Sequence, residues 1–170
     1  MLTNMELLKT VYLTFISRNG VYSLSEKNDD LLMWSHYSDA HRGLCIEFDA
    51  SKSGTLFWEA LKVIYQDDYP AVNMMGLGEG EPEEFRKALL TKSNHWKYEE
   101  ERRVLKDERD GGSGAYFFPP ELLTGVIFGA LMSAKDKEIL MNWIETYPTN
   151  IMKYQSVLND KKYKLDIVPI

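Results

Sequence analysis

The chain changes from a helical pattern to a strand pattern at Gly43, and this junction constrains the fold more than any other feature. A helix is predicted from Asn28, which can cap its first turn, to about His41. Its apolar side carries Met33, Trp34 and Tyr37. After Gly43 the residues alternate at the period of a β-strand, with Leu44, Ile46 and Phe48 on one face and Cys45, Glu47 and Asp49 on the other. The first face is expected to meet the core, with Cys45 and Glu47 side by side on the opposite face.

Helical and strand patterns are mixed irregularly along the rest of the chain. Helices are predicted at about 4–18, near 56–60, after Pro82 and at 133–147. The first has an apolar face formed by Leu8, Val11, Tyr12 and Phe15. The last is capped by Ser133, and its inward face carries Ile139, Leu140, Trp143 and Ile144. Strands are predicted at 21–24, 61–65, 102–107, 115–118 and, centrally, 124–129, with a loop over 66–81 and a final hairpin of about 151–158 and 162–168. The absence of a regular βαβ order predicts an α+β fold in one domain, residues 1–170. We expect a mainly antiparallel mixed sheet, four or five helices packed on it and a C-terminal β-hairpin.

The composition excludes several classes of protein. Of the 170 residues, 44% are apolar and 12% are aromatic, which is too many for a disordered chain. The formal net charge of −6 argues against nucleic-acid binding through bulk charge. No apolar run approaches the ~20 residues that span a membrane, and the N-terminus lacks the basic segment of a signal peptide. Cys45 is the one cysteine and cannot form an internal disulfide, so a reducing compartment and a cytoplasmic location are expected.

The first cluster of candidate functional residues lies around the helix–strand junction. It consists of Trp34, His36, Tyr37, Arg42 and Glu47. A helix that ends at Gly43 and leads into a strand brings Tyr37, Arg42 and Glu47 near one junction, where they can form the rim of a polar pocket. The alternative is structural: Trp34 and Tyr37 are core residues, His36 is a hydrogen-bonded residue at the border, and Arg42 pairs locally.

The second cluster is the charged run from Trp96 to Arg103. As a helix, this run pairs Glu99 with Arg103, whereas as a strand it places Glu99, Glu101 and Arg103 on one face. Desolvated like charges raise the pKa of a carboxyl and a nearby arginine lowers it, which is how an acid or base is tuned. The alternative is a solvated charge run. No His or Cys spacing matches a zinc site, so no metal is predicted, and no cofactor is identified.

Both segments resemble the bacterial family labelled domain of unknown function 2971. The resemblance is carried by Leu32–Tyr37, His41-Arg42-Gly43, Cys45–Phe48, Val63, Tyr65, Trp96-x-Tyr98-Glu99-x-Glu101-x-Arg103 and Val126-Ile127-x-Gly129. It covers about residues 21–130 and the final hairpin, and it implies that all eight candidate residues are family motif positions. The family's usual N-terminal block, with a Tyr-Lys-Tyr-like strand and an Asn-Asp-Pro-Phe-Asp-like motif, is not found. The chain is therefore expected to be a short member, a fragment or half of a split gene.

Two functions of different classes are predicted. In the first, the motif residues form a pocket that binds or processes a small polar or nucleotide-like ligand. Trp34 and Tyr37 would stack, Arg42 and Arg103 would hold an anion, Glu47 and Glu99 would bind ligand, and Glu101 and His36 are the catalytic candidates. By analogy with ADP-ribosyltransferases, Glu101 would act as acid, base or cation-stabilising group, and the chain could be a fragment of such an enzyme. In the second, the chain is a non-enzymatic interaction module of a bacterial stress or defence system.

Overall fold

The computed structural model describes residues 6, 9–10, 13–14, 17–71 and 83–170. Helical backbone at 6, 9–10, 13–14 and 17–18 agrees with the first predicted helix. The apolar face predicted for that helix lies outside the described residues, as does most of the loop predicted over 66–81. Helices and strands are mixed, with antiparallel and parallel pairs, so the α+β prediction is confirmed.

The remaining elements follow in chain order. The strands are β1 (Gly20–Ser25), β2 (Leu44–Phe48), β3 (Leu61–Lys62), β4 (Ile64–Gln66), β5 (Thr91–Ser93), β6 (Glu101–Lys106), β7 (Leu123–Phe128), β8 (Met152–Leu158) and β9 (Leu165–Pro169). The α-helices are α1 (Leu31–Tyr37), α2 (Glu83–Leu89) and α3 (Ala134–Glu145). Short 3₁₀ helices occupy Asn94–Glu99, Glu108–Asp110 and Pro120–Leu122. No helix in the described ranges is long and apolar enough to cross a membrane.

The chain forms two compact units, each built from two separate stretches. The first unit contains Met1–Ser25 and Glu59–Tyr116, and the second contains Glu26–Trp58 and Phe117–Ile170. The chain therefore passes from one unit to the other three times, and neither unit is a continuous segment. The expectation of a single domain remains a prediction.

The first unit holds a three-stranded antiparallel sheet in the order β1-β6-β3 and a parallel pair, β4 with β5. The strand predicted over 61–65 is in fact divided at Val63, which is buried. Val63 donates its N–H to the carbonyl of Glu101, whereas Ile64 donates to the carbonyl of Leu90. The chain thus exchanges one partner strand for another within two residues. Alternation alone could not reveal this exchange, because both halves have the same strand-like composition.

The second unit holds a four-stranded sheet in the order β2-β7-β8-β9. β7 and β8 are parallel and are connected through α3, while the other neighbours are antiparallel. The predictions of a central strand near 124–129 and of a C-terminal hairpin are confirmed. Ser133 caps α3, as predicted, by accepting a hydrogen bond from the backbone of Asp136. The strand predicted at 115–118 and the helix near 56–60 do not form. Pro119 and Pro120 follow the former directly and offer no N–H to a sheet.

Apolar clusters cover both faces of the second unit's sheet. Val126, Phe128 and Ile151 form one cluster, against which Leu140, Met141 and Ile144 of α3 pack. Trp34, Ile127 and Leu165 form the other, in contact with Cys45. The prediction that the apolar face of β2 meets the core is confirmed for Leu44 and Phe48, whereas Ile46 is 48% exposed. Cys45, on the opposite face, also contacts a core cluster. The inward face of α3 is also rotated from the predicted one, because Ile139 and Trp143 are exposed.

Candidate functional site

Helix α1 is shorter than its sequence pattern predicts. Its N-cap is Asp30 rather than Asn28, since the Asp30 carboxylate accepts hydrogen bonds from the N–H groups of Leu32 and Met33 at 2.9 and 3.0 Å. It stops at Tyr37 because Asp39, Ala40 and His41 adopt left-handed backbone, with φ of 44°, 49° and 68°. Left-handed backbone places Cβ close to the following carbonyl and costs roughly 1–2 kcal/mol per residue. Three successive non-glycine residues in this conformation are a strained segment.

Backbone hydrogen bonds hold this segment, here called the α1–β2 turn (Ser38–Gly43), in place. His41 donates its N–H to the carbonyl of Trp34 at 3.2 Å, and Leu131 donates to the carbonyl of His41 at 2.9 Å. Gly129 donates to the carbonyl of Gly43 at 2.9 Å. A Cβ on Gly129 would lie 2.2 Å from the His41 carbonyl oxygen, so only glycine permits this approach. The turn therefore packs against the loop between β7 and α3.

Trp34 is a core residue. Its side chain is only 4% exposed, packs with Ile127 and Leu165, and donates its indole N–H to the carbonyl of Asn28 at 2.7 Å. Because the ring is enclosed by the core, it offers no face for stacking on a ligand. The structural alternative considered for Trp34 is the correct one.

The other aromatic and cationic residues of the first segment lie at the surface. Tyr37 is 61% exposed, and its ring meets the ring of His36 edge to face, with centroids 6.2 Å apart. Arg42 is exposed, and its guanidinium donates to the carbonyl of Asp39 at 3.4 Å. Tyr37 is therefore not a core residue. These three side chains are presented at or beside the α1–β2 turn.

Glu47 lies further along β2 than the predicted pocket rim requires. It pairs with Gly125 of β7 and accepts a hydrogen bond from the Thr124 hydroxyl at 3.1 Å. It lies three positions after Leu44 in the strand, a distance of about 10 Å at 3.3 Å per residue. The burial of Cys45, together with the charge of Glu47, raises the pKa of the Cys45 thiol, consistent with neighbouring positions on one face. Glu47 is thus part of the sheet rather than of the turn.

The turn brings together Ser35 and His41, two residues to which no role is assigned from the sequence. The Ser35 hydroxyl oxygen lies 3.0 Å from Nε2 of His41, and the same hydroxyl donates to the carbonyl of Leu31 at 2.8 Å. The Nδ1 atom of His41 is buried and has no hydrogen-bond partner. The left-handed backbone returns His41 to the surface of α1. The sequence does not reveal this contact, because no clear pattern predicts left-handed φ values at non-glycine residues.

The second segment is neither a continuous helix nor a continuous strand. Its first part is the 3₁₀ helix Asn94–Glu99, and β6 begins at Glu101 after Glu100, whose φ is 44°. The reversal turns the carboxylates of Glu99 and Glu101 toward the same cation, Lys92 of β5. Lys92 Nζ bonds to Glu99 and lies 2.9 Å from Glu101 Oε2. Glu99 and Glu101 are buried, so the alternative of a solvated charge run is wrong.

Arg103 completes this cluster, which we call the Lys92 network (Lys92, Glu99, Glu101 and Arg103). Its guanidinium bonds to both oxygens of Glu101, at 2.7 and 3.1 Å, and also donates to the carbonyl of Leu89. The Tyr65 hydroxyl accepts the N–H of Glu101 at 2.8 Å. Two cations and two carboxylates are therefore brought together from β5, β6 and the 3₁₀ helix. Lys92 and Tyr65, to which the sequence assigned no role, complete the arrangement.

The electrostatics of the Lys92 network favour the charged forms of Glu101 and Lys92. Burial would raise the pKa of Glu101, but hydrogen bonds from Arg103, Ser23 and Lys92 outweigh it and lower the pKa to about 2. Burial would lower the pKa of Lys92, but its bonds to Glu99 and Glu101 raise it. A carboxylate that is ionised at neutral pH has no proton to donate, so the geometry does not suit Glu101 as a general acid.

The candidate residues therefore fall into two groups. Trp34, His36, Tyr37, Arg42 and Glu47 belong to the second unit, and Glu99, Glu101 and Arg103 belong to the first. In the described part of the chain, no three His, Cys, Asp or Glu side chains are grouped as metal ligands. The Lys92 network has the character of an internal brace, whereas the α1–β2 turn presents polar and aromatic groups to solvent.

The family comparison matches the part of the chain that carries both segments. A family model described as Protein of unknown function (DUF2971) matches residues 33–104. The chain is therefore similar to this family over residues 33–104. The resemblance expected over about 21–130 is confirmed for this stretch, which begins within α1 and ends within β6. No curated protein and no solved structure matches the chain.

Proposed function

We propose that the α1–β2 turn, which lies within the stretch matched by the DUF2971 model, binds a small polar, nucleotide-like ligand. The observation that carries this proposal is the run of left-handed backbone at Asp39, Ala40 and His41. Such strain persists only where the surroundings impose it, and it is concentrated at ligand clamps and active sites. Here the clamp consists of backbone bonds from Trp34 and from the β7–α3 loop.

The position of the turn in the second unit supports the proposal. β7 and β8 are parallel, and the turn packs on the loop that leaves the carboxyl end of β7. In sheets with parallel strands joined through helices, ligands bind beyond the carboxyl ends of the strands. In the second unit, β7 and β8 are the one strand pair of this kind. Their arrangement supports a ligand site at the turn through the fold alone, without a sequence motif for ligand binding.

The exposed side chains at the turn suit a nucleotide-like molecule. The ring of Tyr37 offers a stacking surface for a base, with His36 at its edge. The guanidinium of Arg42 is a planar donor that suits phosphate or carboxylate oxygens. We assign the Lys92 network to the scaffold, because its charges are already paired with one another.

Equilibrium binding of adenosine monophosphate (AMP) tests the proposal, using tyrosine and arginine variants with matched controls. We expect Tyr37→Ala and Arg42→Gln each to weaken binding about tenfold, which corresponds to about 1.4 kcal/mol. Tyr163→Ala and Arg109→Gln, which change an exposed tyrosine and an exposed arginine elsewhere, should bind like the wild type. If wild-type protein does not bind AMP, or if all four variants bind it equally well, the proposal fails.

A non-enzymatic interaction module is the second candidate, and the surface of α3 favours it. Ile139 and Trp143 lie one helical turn apart and are exposed, Trp143 at 67%. Exposed tryptophan is enriched at protein interfaces. Sedimentation of the wild type and of Trp143→Lys would test this function. A self-associating wild type and a monomeric variant support it, whereas two monomeric proteins count against self-association.

A further inference from the structure

The hydroxyl of Ser35 determines which nitrogen of His41 carries the proton. A serine hydroxyl has one hydrogen, and the shorter of its two contacts, 2.8 Å to the carbonyl of Leu31, uses it. The Ser35 oxygen is then the acceptor for His41 Nε2 at 3.0 Å. Nε2 must therefore be protonated, which leaves Nδ1 of the neutral ring with a lone pair.

That lone pair is buried without a donor. Nδ1 of His41 has no hydrogen-bond partner among the described residues. Buried polar atoms are almost always bonded, because an unfilled buried acceptor loses its hydration without compensation. The backbone of His41 is held by its hydrogen bonds to Trp34 and Leu131, so only a turn of the side chain can bring Nδ1 to a donor. The atom is therefore prepared for a donor that the chain itself does not supply.

We infer that Nδ1 of His41 accepts a hydrogen bond from the ligand, and that the ligand therefore carries a hydroxyl or N–H donor beside its anionic group. This rests on the proposed function. A phosphate or carboxylate oxygen is an acceptor and cannot donate a hydrogen bond to Nδ1. It can accept hydrogen bonds from the guanidinium of Arg42, the residue that follows His41. The two residues together select a small molecule with both kinds of group, and His41 is the specificity-determining residue for the donor.

The occupied state requires a small local rearrangement. Nδ1 is closed to solvent in this structure, but His41 as a residue is half-buried and both Ser35 and Arg42 are exposed. We expect the imidazole to turn about its side-chain bonds so that Nδ1 reaches the ligand, a movement that breaks the 3.0 Å contact between Nε2 and the Ser35 hydroxyl. The backbone clamp remains unchanged during this movement.

Nitrogen NMR of the His41 ring tests the inference on the wild-type protein. Without ligand, we expect the tautomer with the proton on Nε2 and a non-bonded Nδ1. AMP should move the Nδ1 resonance in the direction of a hydrogen-bonded acceptor. The opposite tautomer, or an Nδ1 resonance that already shows a bound water and does not respond to AMP, would overturn the inference.

Analogues that lack one donor test the selectivity. 2′,3′-Dideoxy-AMP lacks the ribose hydroxyls, and purine riboside 5′-monophosphate lacks the amino group. The wild type should bind one of them about tenfold less tightly than AMP, which is the scale of one hydrogen bond to a buried group. In His41→Gln the amide nitrogen can replace Nε2, but no acceptor stands at the position of Nδ1. This variant should therefore bind AMP and the analogue equally well.

The outcomes separate this inference from the proposed function. If AMP binds through Tyr37 and Arg42 but His41→Gln keeps the full discrimination, only the role of His41 is lost. If AMP does not bind at all, the proposed function fails as well. His41→Asn, which tolerates left-handed backbone, serves as the control for folding of the turn.

Discussion

The guanidinium of Arg103 holds the carboxylate of Glu101 at two points on β6, with Nε 2.7 Å from Oε1 and Nη2 3.1 Å from Oε2. Lys92 approaches Oε2 from β5 at 2.9 Å. Both oxygens of this buried carboxylate are thus used by the protein's own cations. The relationship explains why a run of charged residues is found in the interior of the first unit.

Removal of the Glu101 charge should destabilise the protein strongly. Glu101→Gln removes a carboxylate that is only 5% exposed, so that Arg103 loses this partner and Lys92 keeps Glu99. Breaking a buried ion pair typically costs about 3–5 kcal/mol. Urea denaturation measures the loss. Glu108→Gln is the matched control, because the Arg18–Glu108 pair is exposed and such pairs contribute about 0–1 kcal/mol. Equal effects of the two substitutions would show that the Lys92 network is not a brace.

The same carboxylate should make the stability depend on pH in the acid range. The pKa of Glu101 is lowered from 4.5 to about 2 in the folded protein, so between these values the unfolded chain binds the additional proton. The contribution of Glu101 to the free energy of unfolding is therefore complete above pH 4.5 and is lost as the pH falls through 2. It amounts to roughly 3 kcal/mol at most. Urea midpoints between pH 2.5 and 6 should fall more steeply for the wild type than for Glu101→Gln, and parallel curves would contradict this.

Sequence patterns predicted the fold class and several elements because these depend on local signals. The Ser133 cap, the apolar run of β7 and the final hairpin each follow from neighbouring residues. The predictions failed where distant partners decide. The chain changes sheets at Val63 because the Glu101 carbonyl accepts the N–H of Val63, whereas the Leu90 carbonyl accepts that of Ile64. Cys45 contacts the core because α1 covers a second face of the sheet.

The sequence also names only some of the residues at the two candidate clusters. Tyr37, Arg42, Glu99, Glu101 and Arg103 are candidates from the sequence because they stand in the two motif segments. Lys92 is not a candidate from the sequence, because its ion pair with Glu101 forms only when β5 and the 3₁₀ helix are folded. His41 is not assigned a role from the sequence, because its hydrogen-bond contact with Ser35 depends on left-handed backbone.

Replacement of Trp34 should affect stability and not ligand binding. Trp34→Phe removes the hydrogen bond to the Asn28 carbonyl and leaves that acceptor in a partly buried position, at a cost of about 1–3 kcal/mol. Trp143→Phe, which changes an exposed tryptophan of the same unit, should leave the free energy of unfolding nearly unchanged. Thermal unfolding compares the two variants. A Trp34→Phe protein of normal stability that binds AMP poorly would restore Trp34 as a stacking residue.

Gly129 should be irreplaceable for the clamp on the turn. In Gly129→Ala the new Cβ would lie 2.2 Å from the carbonyl oxygen of His41 and 2.6 Å from that of Gly43, and neither backbone atom can move alone. We expect a loss of about 1–3 kcal/mol, typical of overpacking. Gly114→Ala, whose Cβ meets nothing within 4 Å, is the control. Chemical denaturation of both proteins measures the difference, and a Gly129→Ala protein as stable as the control would be inconsistent with a rigid clamp.

Amide mapping of AMP binding tests the central claim most directly. In a titration followed by ¹H–¹⁵N NMR, we expect the largest shifts at Asp39–Arg42 and in the contacting loop at Gly129–Leu131, with little change at Lys92 and Glu101. Shifts centred on the Lys92 network, with the α1–β2 turn unaffected, would contradict the assignment of the turn as the binding site.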